Sequence, residues 1–508
     1  MNRFVLLPVL VVMGGLSIAA KPAPKAVPRA KIVVVKSVAA CKVSERGYAA
    51  LLADRTARWL SSGGVKADLV ADGALDGALS GRRLAYLVVS QKPTAAQMQA
   101  LTRFRARGGK LVVLQSYSPE LAAFMGAPVP RPVANRVQAS SVSPVPGGWW
   151  STNIFTADEE EDVKARHLLA VAAAVVPGCW NAAAWDARRK IQMAAEQDYG
   201  RRQMPRPGEI HAVWDHSGQG LYPGDWPRTM KMLQRNGVTD FLVNVAGAGF
   251  AHYSSRVLPQ SQVCISSGDQ LAACLAAARG TGIRVHAWVL CFNATRGSSG
   301  RLASLAKRGW RLKDRSGRLT EYLDPTNADL RWHLLSALDE LEQKYPLAGV
   351  HLDFVRWYEG AAAKPQNAAA AVSSFVEAAR RRQKSARPRM WFTAAVLAGY
   401  PSCVTSVGQD WQSWIDRGLI DYAVPMNYFE NRTTYSAMLA RQANTKQRAR
   451  HIISGIGVTA NESVLTPTQV IDQVNAARRA GVAGVALFDL DRMLSDRVLP
   501  VLRLGLFR

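Results

Sequence analysis

The sequence lacks the short motifs that identify metal, redox and nucleotide-phosphate sites. It contains no Cys-x-x-Cys, no His-Glu-x-x-His and no glycine-rich phosphate loop, so we expect no zinc site and no cofactor. Cysteine is sparse, with six residues in a chain of 508. An even number suits an oxidising compartment, and Cys264 and Cys274 are close enough to close a small loop. The spacing does not decide the pairing, and buried free thiols are the alternative.

Acidic residues are scarce relative to basic ones. The chain has 64 Lys and Arg against 38 Asp and Glu, which gives a formal net charge of +26. Such a charge suits a polyanionic partner, but no nucleic-acid-binding motif accompanies it. We therefore expect no nucleic-acid partner and consider anionic polymers of the cell envelope instead. The alternative is that the arginines lie on helix faces exposed to solvent. The oligomeric state is not predicted.

The first twenty residues differ from the rest of the chain. They read MNRFVLLPVLVVMGGLSIAA, with a basic start, an apolar run and a small-residue end. This layout is typical of a secretory signal peptide cleaved near Ala20. The apolar run is slightly short for a bilayer span, and an uncleaved membrane anchor is the alternative. We predict a signal peptide over 1–20, a linker over 21–30, and a protein that is secreted, periplasmic or held at the cell envelope.

Residues 31–180 alternate strand-like and helix-like segments. The apolar segments KIVVVK, RLAYLVVS and KLVVLQS are separated by amphipathic helices, one of them capped by Thr94. This rhythm predicts a small parallel α/β sheet, and the segment resembles flavodoxin-like or glutamine-amidotransferase-like domains. Ser116 lacks the glycines of a nucleophile elbow, and a structural role better explains Cys41. We predict a non-catalytic domain, followed by a helical connector over 181–208.

Residues 209–508 repeat a strand-then-helix pattern with greater regularity. Eight candidate strands cover 209–215, 240–246, 284–292, 349–357, 390–397, 421–428, 451–458 and 484–490. Several helices between them end at a glycine just before the next strand, which is typical of helix C-caps. The number, order and length predict an α/β fold with a (β/α)8 TIM barrel. An open doubly wound sheet, the alternative, usually carries a glycine-rich phosphate loop.

Carboxylates follow several of the predicted barrel strands. In the segment GVHLDFVRW, residues 349–357, the alternation of a strand places His351 and Asp353 on one face and Val350 and Leu352 on the other. Active sites of these barrels lie at the C-terminal ends of the strands. Further acidic residues end strands one, six and eight, at Asp215, Glu430 and Asp489. The sequence therefore predicts a site at that end of the barrel.

Four segments together carry a family resemblance. They are HAVWDHSG, GIRVHAWVLCFNA, LDPTNADLR with GVHLDFVRWYEG, and QDWQSWIDRGLIDYAVPMNYFEN. Their order and spacing resemble the glycosyl-hydrolase-like family ten of secreted barrel enzymes over residues 209–490. The chain departs from the family pattern after Arg356, where Trp357 and Tyr358 stand in place of an aromatic residue and a proline. The resemblance implies hydrolysis of glycosidic bonds in an extracellular or envelope polysaccharide, including peptidoglycan glycan strands stripped of peptide.

A glycosidase of this kind needs two carboxyl groups that flank the scissile bond. We predict Asp353 as the carboxylate near the anomeric carbon, kept ionised by Arg356. Glu430 is the predicted general acid, because neighbouring aromatic rings would raise its pKa. Asp489 and Asp215 are reserves for the same role. The alternatives are a rim salt bridge between Asp353 and Arg356, and an exposed loop position for Glu430.

Aromatic and polar residues near the strand ends are candidates for sugar binding. The predicted substrate-binding set is Trp214, Asn244, His286, Trp288, His351, Arg356, Trp357, Asn427 and Tyr428. The aromatic members would stack on the apolar faces of pyranose rings, and the two histidines would orient Asp353 or a sugar hydroxyl. For each aromatic residue, core packing is the alternative. For the whole barrel, the alternative is a glycan-binding envelope protein that has lost one catalytic carboxylate.

Overall fold

The computed structural model describes residues 30–41, 45–128, 139–155 and 159–508. The predicted signal peptide over 1–20, and the linker up to residue 29, lie outside the described residues. Within those ranges, no helix has both the length and the apolar composition needed to span a bilayer.

The N-terminal part is built on a six-stranded sheet. Its strands, first to sixth along the chain, are Ile32–Lys36, Ala67–Ala71, Leu84–Val88, Lys110–Leu114, Ser143–Val145 and Gly148–Ser151. Their spatial order is second, first, third, fourth, sixth, fifth, and all neighbours are parallel except the last pair. The parallel strands follow the flavodoxin-like order, so the predicted small α/β sheet is confirmed. Its helices are Arg46–Ser62, Leu75–Leu79, Ala95–Ala106, Pro119–Met125 and Glu161–Val175, with a 3-10 turn at Asp72–Ala74.

Two local features of this sheet compare directly with the sequence analysis. The predicted cap is confirmed, because the Thr94 side chain accepts a hydrogen bond from the Gln97 backbone N–H. The strand Ala67–Ala71 was not predicted. It lies at the sheet edge with mostly half-buried or exposed residues, so it lacks the apolar run by which its neighbours are recognised.

The connector is one helix, Ala182–Arg201, that joins the sheet to the barrel. Its Glu196 accepts a hydrogen bond from Arg497 at 3.0 Å, and its Tyr199 hydroxyl donates to Asp472 at 2.8 Å. Both partners belong to the C-terminal helical part of the barrel, so the connector packs directly on that domain.

Eight parallel strands form the barrel. In order they are Ile210–Asp215, Asp240–Gly247, Arg284–Leu290, Gly349–Asp353, Trp391–Leu397, Tyr422–Asn427, Ile453–Gly457 and Gly484–Phe488. Strand three pairs with both strand two and strand four, and strand eight pairs with strand one. The ring is therefore closed, and the predicted (β/α)8 barrel is confirmed.

Helices surround this ring. They are Trp226–Arg235, Gln262–Ser267, Gln270–Ala278, Ser299–Lys307, Ala328–Lys344, Ala368–Ala386, Ser402–Val407, Trp411–Asp416, Arg432–Gln442, Lys446–Arg450, Pro467–Arg479 and Leu499–Leu502, with a π-helical turn at Leu494–Val498. Short strands at Phe250–Ala251, Arg311–Lys313 and Leu319–Leu323 lie in the loops. Alternate strand residues point inward and outward. The outward set packs on the helices in one large cluster, and an inward cluster including Ala212, Trp214 and Trp288 fills the barrel.

Barrel strand four is shorter than the sequence analysis predicted. It ends at Asp353 because Phe354 adopts a left-handed backbone with φ 48°, a conformation that interrupts strand geometry. Arg356 and Trp357 therefore lie in the following loop rather than on the strand. Trp357 is buried against Leu312 and neighbouring side chains. It is therefore a packing residue, which was the alternative to sugar binding for this position.

All six cysteines lie in the described part of the chain, and none forms a disulfide there. Five are buried, among them Cys264 and Cys274, which lie on successive helices. In this structure they are the buried free thiols that the sequence analysis kept as the alternative.

The seam between strands one and eight gives a prediction on barrel closure. A Cβ atom at Gly484 would lie 2.1 Å from the backbone oxygen of Ile210 and 2.6 Å from its nitrogen. Gly484→Ala should therefore push the two strands apart and destabilise the protein by about 1–3 kcal/mol, measured by urea unfolding. Gly300→Ala is the matched control, since it has open space and an ordinary φ and should stabilise its helix by about 0.4–1 kcal/mol. Equal effects of the two substitutions would contradict the account of the seam.

Candidate active site

A cleft of about 590 Å³ opens at the C-terminal mouth of the barrel, within the size range of about 300–1,000 Å³ that small-ligand sites occupy. Three groups of residues line it. From the strand ends come Trp214, Trp288, Leu290, Asp353, Ala395, Met426, Tyr428, Phe488 and Asp489. From the barrel loops come His216, Asn293, Thr295, Arg296, Tyr322, Phe354, Thr459, Asn461, Glu462, Asp491 and Met493. The N-terminal domain adds Arg55, Phe155, Glu159, Glu161 and Lys164.

Asp353 ends strand four and points into the cleft with only 6 % of its surface exposed. Its Oδ2 accepts a hydrogen bond from the Trp288 indole N–H at 3.1 Å. Its Oδ1 accepts one from the Phe354 backbone N–H at 2.6 Å. One donor belongs to the local backbone and the other to a neighbouring strand, and together they fix the orientation of the carboxyl group.

Burial dominates the electrostatics of Asp353. It raises the pKa of the carboxyl above the ordinary aspartate value, although the Arg356 charge and the two N–H donors oppose that rise. Arg356 does not pair with the carboxylate. Its guanidinium lies 4.5 Å from the centroid of the Phe354 ring, and its buried Nη1 has no hydrogen-bond partner among the described residues. The alternative of a salt bridge is therefore wrong, whereas the charge of Arg356 does favour the ionised carboxylate, as predicted, without outweighing burial.

His351 lies one layer below Asp353 and orients a tryptophan instead of the carboxylate. Its Nε2 accepts a hydrogen bond from the Trp214 indole at 3.0 Å, so its Nδ1 carries the proton and donates to Thr393 Oγ1 at 2.9 Å. Burial lowers the pKa of His351 to about 3, which keeps the ring neutral. It does not line the cleft, and its effect on the cleft runs through Trp214.

The floor of the cleft is aromatic. Trp214, Trp288 and Tyr428, all predicted from the sequence, meet around Phe488, with ring centroids 6.0, 6.5 and 5.3 Å from it. Burial raises the pKa of the Tyr428 phenol well above its usual value, and the Asp353 charge adds to that rise. The Tyr428 hydroxyl therefore stays protonated as a hydrogen-bond donor. Phe488 was missed, although the alternation of strand eight would have turned it inward with Ala486.

A second carboxyl group, Asp489, follows strand eight and lines the cleft with 7 % of its surface exposed. Thr459 Oγ1 lies 3.5 Å from its Oδ1 and 3.4 Å from its backbone nitrogen. Glu462 and Asp491, neither of them among the predicted catalytic residues, also line the cleft on the loops after strands seven and eight. Their signal in the sequence is weak, because both lie beyond the strand ends.

The structure sets Asp215 and Glu430 apart from the cleft. The Asp215 carboxylate accepts hydrogen bonds from the backbone N–H groups of Ser217, Gly218 and Gly220, so it orders the loop after strand one. The Glu430 side chain is 39 % exposed and forms an ion pair with Arg58 at 3.3 Å. Glu430 is therefore an exposed residue at the rim of the barrel. The predicted apolar, aromatic surroundings of its carboxyl group are wrong.

Asn244 and Asn427 are buried outside the cleft lining. Asn244 Nδ2 donates to the His216 backbone oxygen at 3.3 Å. Asn427 exchanges two hydrogen bonds with Gln442, at 3.0 and 2.8 Å, and donates to Ser454 Oγ. Both side chains form hydrogen bonds that connect loops, strands and helices of the barrel, and neither lines the cleft. The structure therefore corrects the prediction that they contact the substrate.

His286 lies near the start of strand three, at the opposite end of the barrel from the cleft. Its Nε2 contacts Asp240 Oδ1 at 2.8 Å, and Arg284 pairs with the same carboxylate at 2.7 Å. Burial raises the pKa of Asp240, but His286 and Arg284 outweigh it and bring that pKa below its usual value. The predicted role of His286 at the substrate is wrong because the residue occupies the wrong layer. Among the described residues, no group of three or more His, Cys, Asp or Glu is arranged to hold a metal ion.

No family model matches the sequence, and no curated protein matches it. The barrel is similar to solved structures at low identity. The glycoside hydrolase domain of PgaB (BpsB) from Bordetella bronchiseptica is 11 % identical with a TM-score of 0.47, over 58 % of this chain and 98 % of that one. A GH18 chitinase from Cycas revoluta is 13 % identical with a TM-score of 0.39, over 58 % and 98 %. The spore cortex-lytic enzyme SleL from Bacillus cereus is 8 % identical with a TM-score of 0.40, over 60 % and 75 %.

The hydrogen bond from Trp288 gives a prediction for the Asp353 carboxyl. Trp288→Phe removes a donor that favours the ionised form, so the pKa of Asp353 should rise further. The measurement is a pH titration of the carboxyl carbon by NMR in protein labelled at aspartate, with the resonance assigned by Asp353→Asn. Trp357→Phe is the matched control, because the Trp357 indole nitrogen is buried without a partner among the described residues. An unchanged pKa in Trp288→Phe would contradict this geometry.

Proposed function

We propose that the protein is a glycoside hydrolase whose two catalytic carboxyl groups are Asp353 and Asp489. The observation that carries the proposal is their position: both are buried at the C-terminal ends of barrel strands, in one cleft with an aromatic floor. Cleavage of a glycosidic bond needs two carboxyl groups that flank the bond, one to protonate the leaving oxygen and one to attack the anomeric carbon or activate water.

Asp353 is the proton donor in this proposal. A general acid needs a pKa above the ordinary carboxyl value, and burial shifts the pKa of Asp353 in that direction. This reverses the role predicted from the sequence, because burial outweighs the ionising effect of Arg356. Asp489 is the second carboxyl group, and Thr459 next to it supplies a hydroxyl that holds its oxygen in position.

The aromatic floor supports a sugar as the ligand. A pyranose ring has one face of C–H groups that packs against an aromatic ring, while its hydroxyl groups need polar partners at the edge. Tyr428 and Phe488, which are only partly buried where they line the cleft, supply such surfaces, and the Tyr428 hydroxyl is a donor that stays protonated. Carboxylates and amides at the rim, such as Glu462 and Asn461, would contact the hydroxyl groups.

The substrate class that we propose is an extracellular or cell-envelope polysaccharide, with peptide-free peptidoglycan glycan strands as the first candidate. An exported protein, as the first twenty residues predict, meets such polymers directly. The net charge of +26 would hold the protein near an anionic envelope. The proposed reaction needs only two carboxyl groups and water, so it requires no cofactor.

Asp353→Asn and Asp489→Asn should each lower the rate of glycan hydrolysis by about 10²–10⁴-fold, because each removes a catalytic carboxyl group. The measurement is release of short glycans from amidase-treated peptidoglycan, read by mass spectrometry. Glu430→Gln, outside the cleft, is the control and should retain activity. Loss of activity in Glu430→Gln with retention in Asp489→Asn would overturn the assignment. Wild-type binding to the glycan without any release would favour the binding alternative.

The raised pKa of Asp353 also predicts the pH profile of kcat/KM. A general acid works only while protonated, so activity should be lost as the pH rises through the pKa of Asp353, on the alkaline limb. In Trp288→Phe the pKa of Asp353 should be higher, so the alkaline limb should move to higher pH, independently of any change in the maximal rate. The measurement is kcat/KM against pH for both proteins, with folding checked by circular dichroism. A limb that stays in place would contradict the role of Asp353 as the acid.

A further inference from the structure

The N-terminal domain forms one side of the cleft. We call this side the N-terminal wall and define it by Arg55, Phe155, Glu159, Glu161 and Lys164. Arg55 comes from the helix Arg46–Ser62 and two of the others from the helix Glu161–Val175. The domain is predicted from the sequence to be non-catalytic, and none of these residues is among the predicted site residues.

The charged groups of the wall hold one another in fixed positions. The Glu161 carboxylate accepts hydrogen bonds from Arg55 Nε and from the Trp59 indole, both at 2.8 Å. Lys164 Nζ lies 3.6 Å from the same carboxylate. Burial raises the pKa of Glu161, but these cations and the indole donor outweigh it and bring the pKa below its usual value. Glu161 is therefore a fixed anion between two cations.

Lys164 is the least expected member of the wall. Only 4 % of its surface is exposed, although it lines the cleft, and lysine is rarely buried without a paired charge. Next to it Phe155, 8 % exposed, stacks on Trp59 with centroids 5.3 Å apart and planes 13° apart. The wall thus combines ordered charged hydrogen-bonding groups with a rigid aromatic pair.

Ion pairs between the domains hold the wall over the barrel. Arg497 lies 3.3 Å from Glu160 and 3.0 Å from Glu196 of the connector. At the rim, the exposed side chains of Arg58 and Glu430 form a further pair at 3.3 Å, which contributes little to this docking. Glu160 directly precedes the helix Glu161–Val175, which carries two residues of the wall. Its contact with Arg497 therefore fixes the start of that helix against the barrel.

We propose that the N-terminal wall is a second sugar-binding subsite, which takes a pyranose unit of the glycan chain away from the scissile bond. This inference rests on the proposed function. Charged side chains in fixed positions bind the hydroxyl groups of a sugar without a further ordering cost, and Phe155 offers an apolar surface beside them. The wall and Asp353 line the same cleft from different domains, and in this proposal the unit at the wall is a sugar other than those at the scissile bond. The non-catalytic domain would then make affinity depend on chain length.

The test measures binding without turnover, in an Asp353→Asn background of the full chain. The probes are glycan fragments from amidase-treated peptidoglycan, fractionated to the disaccharide and the octasaccharide, with dissociation constants from titration calorimetry. Lys164→Met removes the buried ammonium, and Phe155→Leu is a second variant that keeps an apolar side chain at the wall. Arg166→Met is the matched control: it lies on the same helix, is half exposed and pairs with Asp186 away from the cleft.

We expect Lys164→Met and Phe155→Leu each to weaken octasaccharide binding by about tenfold, and disaccharide binding much less. Arg166→Met should bind both fragments as the parent does. If both wall variants fold, by circular dichroism, and bind the octasaccharide as tightly as the parent, the subsite is overturned while the proposed function stands. If the parent binds neither fragment, the proposed substrate is wrong, and the subsite built on it falls with it.

Discussion

The site depends on the closure of the eight-stranded ring. Strand three pairs with strand two on one side and strand four on the other, and strand eight returns to pair with strand one. Because all eight strands are parallel, their C-terminal ends meet at one mouth. That constraint brings Asp353, which ends strand four, and Asp489, which follows strand eight, into one cleft. It also turns the inward aromatic residues toward a common centre.

Register then decides what each inward residue does. In the pairing of strands three and four, His286 lies opposite Gly349, Trp288 opposite His351 and Leu290 opposite Asp353. The layer of His286 lies at the N-terminal end of the strands, opposite the cleft, where His286 stabilises the buried carboxylate of Asp240. The middle layer holds the rings that form the cleft floor, and the last one presents Asp353 to the cleft. Residues of one type therefore have different roles according to their level along the strand.

This layering explains how far the sequence could predict the site. Strand periodicity identified the barrel and the inward face of strand four, and Trp214, Trp288, Tyr428, Asp353 and Asp489 do line the cleft. Periodicity shows which face of the sheet a side chain is on, but not how far along the barrel axis it lies. For that reason His286 and His351 were grouped with Asp353. The left-handed residue at Phe354 had no signal in the sequence, because its phenylalanine favours strand structure. It ends strand four early and removes Arg356 and Trp357 from the strand.

The N-terminal wall and the ion-pair partner of Glu430 were beyond prediction for a different reason. Both depend on contacts between segments far apart in the chain, such as Arg58 with Glu430. In the sequence, Lys164 is one charged residue among many. Only the docking of the two domains shows that its side chain is buried at the cleft.

The most direct test of the account is a crystal structure of the Asp353→Asn variant with a bound octasaccharide from amidase-treated peptidoglycan. We expect a sugar ring on the floor of the cleft against Tyr428 and Phe488, with a glycosidic oxygen within hydrogen-bonding distance of residue 353. We also expect a carboxyl group, that of Asp489, on the other side of the same bond. A glycan bound elsewhere, or bound in the cleft with Asp489 remote from every glycosidic bond, would contradict the account.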